Sequence, residues 1–157
     1  MPDFSERELR DALGRFATGV TIVTTTTARG ALGITANSFS SVSLAPALVL
    51  WSPARRSSRF PAFEAASHFA VHVLSADQRA LAEAFSRPGQ GWPAGLAYTR
   101  GIGDVPLLPG CTARFECRHD AAHEGGDHLI VVGEVLRLVD ADLAPLVFHR
   151  GRFVALA

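Results

Sequence analysis

Between Gly19 and Thr27 the chain reads Gly-Val-Thr-Ile-Val-Thr-Thr-Thr-Thr, a run dense in β-branched residues. Side chains branched at Cβ lose rotamer freedom in a helix and pack well on a pleated surface, so this run predicts a strand. Arg29-Gly30 turns it into a second strand over Ala31 to Phe39, which makes a hairpin. A chain that begins this way is committed to a sheet, and the helices must find places around it.

The hairpin delivers an unusual stretch, Gly33 to Pro46. Thr35, Asn37, Ser38, Ser40, Ser41 and Ser43 place six short hydroxyl or amide side chains within nine residues, inside an uncharged run from Gly30 to Ala54. A solvated loop would carry Lys, Glu or Asp, and a core strand would hold more Val and Ile. Two explanations stand side by side. Short hydroxyls and backbone N–H groups on a strand that breaks into a turn can line a site for a polar, uncharged ring system. Alternatively, a Ser-rich turn satisfies only its own backbone.

Ser5-Glu6-Arg7-Glu8 has the form of a capping box, and Leu9, Ala12, Leu13 and Phe16 follow at helical spacing, so a short amphipathic helix is predicted first. After Pro46, Ala47 to Trp51 reads as a buried third strand ended by Ser52-Pro53. Arg55-Arg56-Ser57-Ser58-Arg59 then precedes a helical pattern from Phe60 to Ala66. It is either a phosphate site at a helix N-terminus or a surface basic cluster around an ordinary cap. His68 to Leu74 alternates as a fourth strand, and Ser75 to Gln78 caps a helix that carries Leu81, Ala82 and Phe85. Gly89 to Pro109 is rich in Gly and Pro and reads mostly as loop around Trp92 and Tyr98, of the kind that forms lids or partner contacts. Thr112 to His119 alternates as a half-buried strand with Arg114, Glu116 and Arg118 outward; Leu129 to Val139 is a long apolar strand. A loop containing Glu124 to His128 joins them, and Leu146 to Leu156 reads as a terminal hairpin or bent strand. Six or seven strands with few long helices predict one domain over residues 1–157, a small and mostly antiparallel barrel.

Charge excludes several classes. Fifteen basic residues balance fifteen acidic ones and every basic residue is Arg, so no basic excess points to nucleic acid or an anionic membrane. No apolar run has the length of a membrane span and Met1-Pro2-Asp3-Phe4 lacks signal-peptide character, which predicts a cytoplasmic protein. Cys111 and Cys117 sit six apart on an expected strand, separated by roughly 20 Å, and are read as reduced thiols. His119, His123 and His128 with Asp120, Glu124 and Asp127 fit no strong zinc spacing, so no metal is expected. Neither a Gly-x-Ser-x-Gly nucleophile motif nor a Gly-rich phosphate loop is present.

Phe16-Ala17-Thr18-Gly19-Val20, the Thr35 to Pro46 stretch, Phe69 to Leu74, Gln78 to Phe85, the Gly126-Asp127-His128 turn and Pro145 to Phe148 stand in an order that resembles the flavin reductase-like family. The resemblance runs from about Leu9 to Leu156. It implies a mainly β fold with peripheral α, the FMN-binding split β-barrel with six or seven antiparallel strands, and a homodimer. It also implies reduction of FMN or FAD by NADH or NADPH, with reduced flavin passed to a partner monooxygenase. By the same resemblance Thr35, Ala36, Asn37 and Ser38 lie along the flavin ring with Ser41 and Val42 following in the turn. Ser52, Ser57 and Ser58 with Arg55 or Arg56 lie near the ribityl chain and phosphate, and Phe85 lies beside the ring. His128, held by Gly126-Asp127, meets the nicotinamide nucleotide as the catalytic residue. One departure is Phe153, where the family pattern has Tyr; another is Trp51-Ser52-Pro53. Two other functions share the fold: a flavoprotein with tightly held FMN acting as an oxidase or as a reductase of another small molecule, and a non-enzymatic flavin-binding module.

Overall fold

The computed structural model describes residues 1–157. Twelve strands are present: β1 (Thr18–Gly19), β2 (Thr21–Thr27), β3 (Gly30–Ala36), β4 (Ser40–Leu44), β5 (Ala47–Trp51), β6 (His68–Val73), β7 (Thr99–Arg100), β8 (Pro106–Leu107), β9 (Ala113–Gly125), β10 (His128–Asp140), β11 (Val147–His149) and β12 (Arg152–Val154). Three α-helices accompany them: α1 (Glu6–Leu13), α2 (Phe60–Ala65) and α3 (Arg79–Ser86). Seven strands form one antiparallel sheet in the order β3-β2-β6-β9-β10-β5-β4.

That order carries a geometric consequence. β3 and β4 occupy opposite edges of the sheet, yet only Asn37, Ser38 and Phe39 join them. Those residues and their flanking bonds span roughly 14 Å at most, so the sheet must curl until its edges nearly meet. The result is a barrel with a split, and the crossing at Asn37 to Phe39 bridges that split.

β2 is buried on both faces, which explains its unbroken β-branched run. Val23 faces the barrel interior with Val49, Trp51, Phe69, Val71 and Val131, where Phe60 and Phe63 of α2 join them. Trp51 and Phe63 meet edge to face at 4.9 Å. Ile22 faces the other way, into a second cluster with Leu74, Ala82, Phe85 and Leu108 that seats α3 against the sheet. The threonines are satisfied as they are buried: Thr21 Oγ1 donates to Ala36 O at 2.6 Å, Thr24 Oγ1 to Pro106 O at 2.6 Å and Thr25 Oγ1 to His68 O at 2.9 Å.

Gly33 is required by this packing. A Cβ there would stand 2.6 Å from Cε1 of Phe85. Gly33→Ala is therefore expected to lower stability by about 2 kcal/mol, read as a lower denaturant midpoint at unchanged slope.

Several sequence expectations change. Ser40–Leu44, read as a turn, is strand β4, so Ser41 and Val42 lie on a strand; the register shifts between Ser41 and Ser43, leaving Val42 as an unpaired bulge. The strand read over Thr112 to His119 runs on to Gly125, so the expected loop shrinks to a tight turn at Gly126-Asp127. Glu116, expected outward, is 1% exposed: it accepts from Ile102 N–H at 2.8 Å, with Arg114 and Arg137 within 4 Å of its carboxylate. α1 forms behind its capping box but buries none of its residues, and Leu13 and Phe16 are exposed. Both cysteines are free and buried, and burial pushes the Cys117 thiol up to about 12. No helix is long and apolar enough to cross a membrane.

Candidate functional site

The site is assembled by one segment, Ser52 to Arg59. Its first contact is with the barrel crossing: Ser52 N–H donates to Ser38 Oγ at 2.9 Å. Its second is with the β9–β10 turn, where Arg55 N–H donates to Asp127 O at 2.9 Å, Leu129 N–H donates to Pro53 O at 3.1 Å, and Ala54 bridges to His128. Arg55 also pairs with Glu124 and stacks over Phe60 at 5.3 Å. The third contact is made by Arg59, which is 7% exposed. Its guanidinium donates to Phe85 O at 3.0 Å, Arg87 O at 2.7 Å and Gln90 O at 2.9 Å, tying the end of α3 and the loop after it to the segment. No carboxylate neutralises it, and burial lowers its pKa.

Residues from positions 37–38, 52–59, 85–90 and 126–128 are therefore held as one unit by hydrogen bonds. The expected residues divide into two kinds within it. Thr35 and Ser38 use their hydroxyls on the protein: Thr35 Oγ1 donates to Ala82 O at 2.6 Å, and Ser38 is bound to Ser52 as above. Ser57 Oγ accepts from Arg59 N–H at 3.2 Å. Asn37, Ser41, Arg56 and Ser58 are exposed, and their polar groups remain for water or a ligand. Phe85 is a core residue, 1% exposed, under Gly33 and edge-on to Trp92; its neighbour Ser86 is the one that reaches a cavity. That cavity, about 320 Å³, is lined by Val20, Thr35, Ala36, Asn37, Ser86, Phe148 and Phe153. Phe153 stands edge-on to Phe148 at 5.3 Å with Arg79 over its ring at 5.4 Å. A tyrosine hydroxyl is missing from this wall.

At the β9–β10 turn, Gly126 has φ +70°, which admits the tight reversal that presents Asp127 and His128 together. His128 Nδ1 stands 2.6 Å from Asp127 Oδ1. The hydrogen bond from His128 holds the Asp127 carboxyl below the usual carboxylate range, with the charges of His128 and Arg56 acting the same way. An ionised carboxylate only accepts, so Nδ1 carries the proton and Nε2 is left to meet a ligand. No group of three His, Cys, Asp or Glu side chains converges to hold a metal.

The sequence missed Arg59 as a site residue. It lies among Arg55, Arg56 and the serines in a run that looks solvated, and the carbonyls that bury it come from 26 to 31 residues downstream. A guanidinium one residue before a helix that opens Phe60-Pro61 was the available signal.

The hydroxyl-rich crossing, the arginines of Ser52 to Arg59 and the His–Asp turn thus lie beside one another at the split of an antiparallel barrel. The model of the flavin reductase like domain matches residues 13–157, and the chain belongs to the flavin reductase-like family. It is 56% identical over 149 residues to FMN reductase (NADH) SmoA of Agrobacterium fabrum, across 95% of this chain and 85% of that one. It is 44% identical over 148 residues to the reductase component of a flavin-dependent trigonelline monooxygenase of Acinetobacter baylyi. That match takes in 94% of this chain but 48% of the relative, so the chain spans about half its length. Among solved structures, the NADH:FAD oxidoreductase SgcE6 of Streptomyces globisporus, in complex with NAD and FAD fragments, superposes with a TM-score of 0.93 at 36% identity, over 100% of this chain and 96% of that one.

Proposed function

We propose that the protein is an NAD(P)H:flavin oxidoreductase, one flavin reductase-like domain over residues 1–157, that reduces FMN or FAD and releases it to a partner monooxygenase. The observation that carries this is the hub at Ser52 to Arg59, which joins the hydroxyl-rich crossing to the His128 turn through Ser38, Asp127 and Leu129. One side offers neutral donors and acceptors suited to an uncharged ring, and Arg55 and Arg56 adjoin it for a phosphate. These residues fit FMN. The relatives' names support the same activity.

A bound flavin supplies the hydride acceptor, so the protein needs neither a nucleophile nor a general base. What the chain contributes is placement. Asn37, Ser41 and Ser58 orient the ring and ribityl chain by hydrogen bonds, and Arg56 with Ser57 and Ser58 holds the phosphate. Asp127 fixes the His128 imidazole so that Nε2 faces the nicotinamide nucleotide, and His128 is the catalytic residue. His128→Ala is expected to raise KM for NADH about tenfold while FMN affinity stays near the parent's, the loss of one hydrogen bond. An unchanged KM would remove His128 from the site.

The exposed apolar residues Leu13 of α1, Phe16 just after it, and Leu44 and Leu138 of β4 and β10 support a homodimer that covers them. The compartment proposed is the cytoplasm. The test of function is anaerobic mixing of the protein with NADH and excess FMN, followed by filtration through a membrane that retains the protein. Reduced flavin is expected in the filtrate. Flavin that stays with the protein through repeated washing would favour the prosthetic-group alternative, an oxidase or a reductase of another small molecule.

A further inference from the structure

The tip of the β11–β12 hairpin rests on the end of α1. Arg150 N–H donates to Gly14 O at 2.9 Å, and a Cβ on Gly14 would lie 3.6 Å from Arg150 Cα. Between the two elements lies a hollow of about 410 Å³, lined by Arg10, Asp11, Gly14, Arg15, Arg150 and Gly151 without one apolar side chain. It shares no residue with the cavity at Thr35 to Asn37, nor with the segment from Ser52 to Arg59.

Charge defines the ligand. Three guanidinium groups face one carboxylate, and Asp11 pairs only with Arg7, outside the hollow, at 4.0 Å. Arg10, Arg15 and Arg150 are exposed, and no hydrogen bond or ion pair to the protein engages their side chains. Basic residues near the end of a helix ordinarily meet its free carbonyls. Here the backbone already does so: Arg10 O accepts from Gly14 N–H at 2.9 Å, Ala12 O from Arg15 N–H at 3.1 Å, Leu13 O from Phe16 N–H at 3.1 Å, and Gly14 O from Arg150. The three guanidinium groups are left for something else. Their planar forks match phosphate or carboxylate oxygens two at a time, and a wall without apolar groups offers nothing to a ring or an alkyl chain. The turn adds a second observation. Arg150 and Gly151, at φ +53° and +78°, form a two-residue hairpin turn for which Asn-Gly is the favoured pair. Arginine at the first position forgoes that preference and brings the third cation to the hollow. We propose that the hollow binds a small polyanion carrying two or more phosphate or carboxylate groups, which bridges α1 and the hairpin.

Calorimetric titration of the full chain at physiological ionic strength, with inorganic pyrophosphate and separately with citrate, tests this. Saturable one-site binding of at least one is expected, pyrophosphate marking a phosphate ligand and citrate a polycarboxylate. Arg150→Asn, which suits the turn, and Arg15→Gln are each expected to weaken it about tenfold. Arg87→Gln removes the same charge from an exposed position elsewhere and is expected to change it by less than about twofold. Excess FMN is expected to leave the anion bound, since the hollow holds none of the residues assigned to the flavin. Failure of both probes to bind saturably overturns the site. So does a folded Arg150→Asn variant that binds as well as the parent, or an equal loss in Arg87→Gln, which would mark a response to net charge alone. Displacement by FMN would place the anion on the flavin phosphate loop and overturn the site as well.

Discussion

Replacing Arg59 with Ala is expected to lower the stability of the protein by about 3 kcal/mol and to weaken flavin binding about tenfold in the same variant. The first effect follows from what the guanidinium satisfies. Three carbonyls, Phe85 O, Arg87 O and Gln90 O, point at one buried cation, and water cannot fully replace it there. For a chain of this size the change corresponds to a melting temperature lower by about 10 °C. The second effect follows because Ser86 lines the cavity that Thr35 to Asn37 enclose, and Arg59 is what fixes the chain on either side of Ser86. Arg59→Lys should recover little of either, since an ammonium on a flexible stem does not present the planar fork that reaches three acceptors. Denaturant midpoints and FMN titrations of both variants check this. Parent-like flavin affinity in a destabilised variant would make Arg59 a structural residue only.

The second large effect is acid sensitivity centred on His72. This side chain is completely buried on β6; Nδ1–H donates to Ile22 O at 3.0 Å, and Nε2 accepts from Leu108 N–H at 3.0 Å. Burial, chiefly, pulls its pKa down to about 4; the hydrogen bond to Ile22 opposes the shift and the charge of Arg114 adds to it. A second proton would have to sit on Nε2, against the Leu108 N–H. The unfolded chain takes up that proton near pH 6.5, whereas the folded chain resists until about 4. The neutral imidazole therefore contributes fully above about pH 6.5, and stability falls as the pH drops from there toward 4, by up to ~3 kcal/mol. Carboxylates also titrate below pH 5, so the comparison is with His72→Gln. The variant is expected to be less stable at pH 7 and to lose less than the parent on acidification. Parallel melting curves between pH 7 and 4.5 would refute the assignment.

The parts of the fold that were legible are those whose signal is local. The β-branched run of β2 can be little else than a buried strand, and both capping boxes form as their Ser and Glu or Gln spacing demands. The hydroxyl-rich stretch stood out in the sequence, but its shape did not. Ser40–Leu44 has poor intrinsic strand preference, and it becomes β4 only because β5 offers a ladder to it, from residues the chain reaches after the turn at Pro46. The polar half of β9, through His119, His123 and Glu124, likewise pairs because apolar β10 lies beside it. Buried charge was the least legible. Glu116 alternates correctly for an outward position, yet the Gly101 to Asp104 turn folds over it and donates Ile102 N–H to its carboxylate. Arg59 and His72 are the same case: their partners lie 26 to 50 residues away, and no local pattern marks them. Phe85 was placed beside a ring by resemblance, whereas Gly33 and Trp92 enclose it.

We propose free flavin as the substrate of the site gathered by Ser52 to Arg59. The most direct test is the rate of NADH oxidation by the purified protein as FMN is raised from catalytic to excess concentration. The expected result is a low rate without flavin and a rise that saturates with FMN as with any substrate. A protein that oxidises NADH at the same rate whether or not FMN is added, or not at all in its presence, would contradict it.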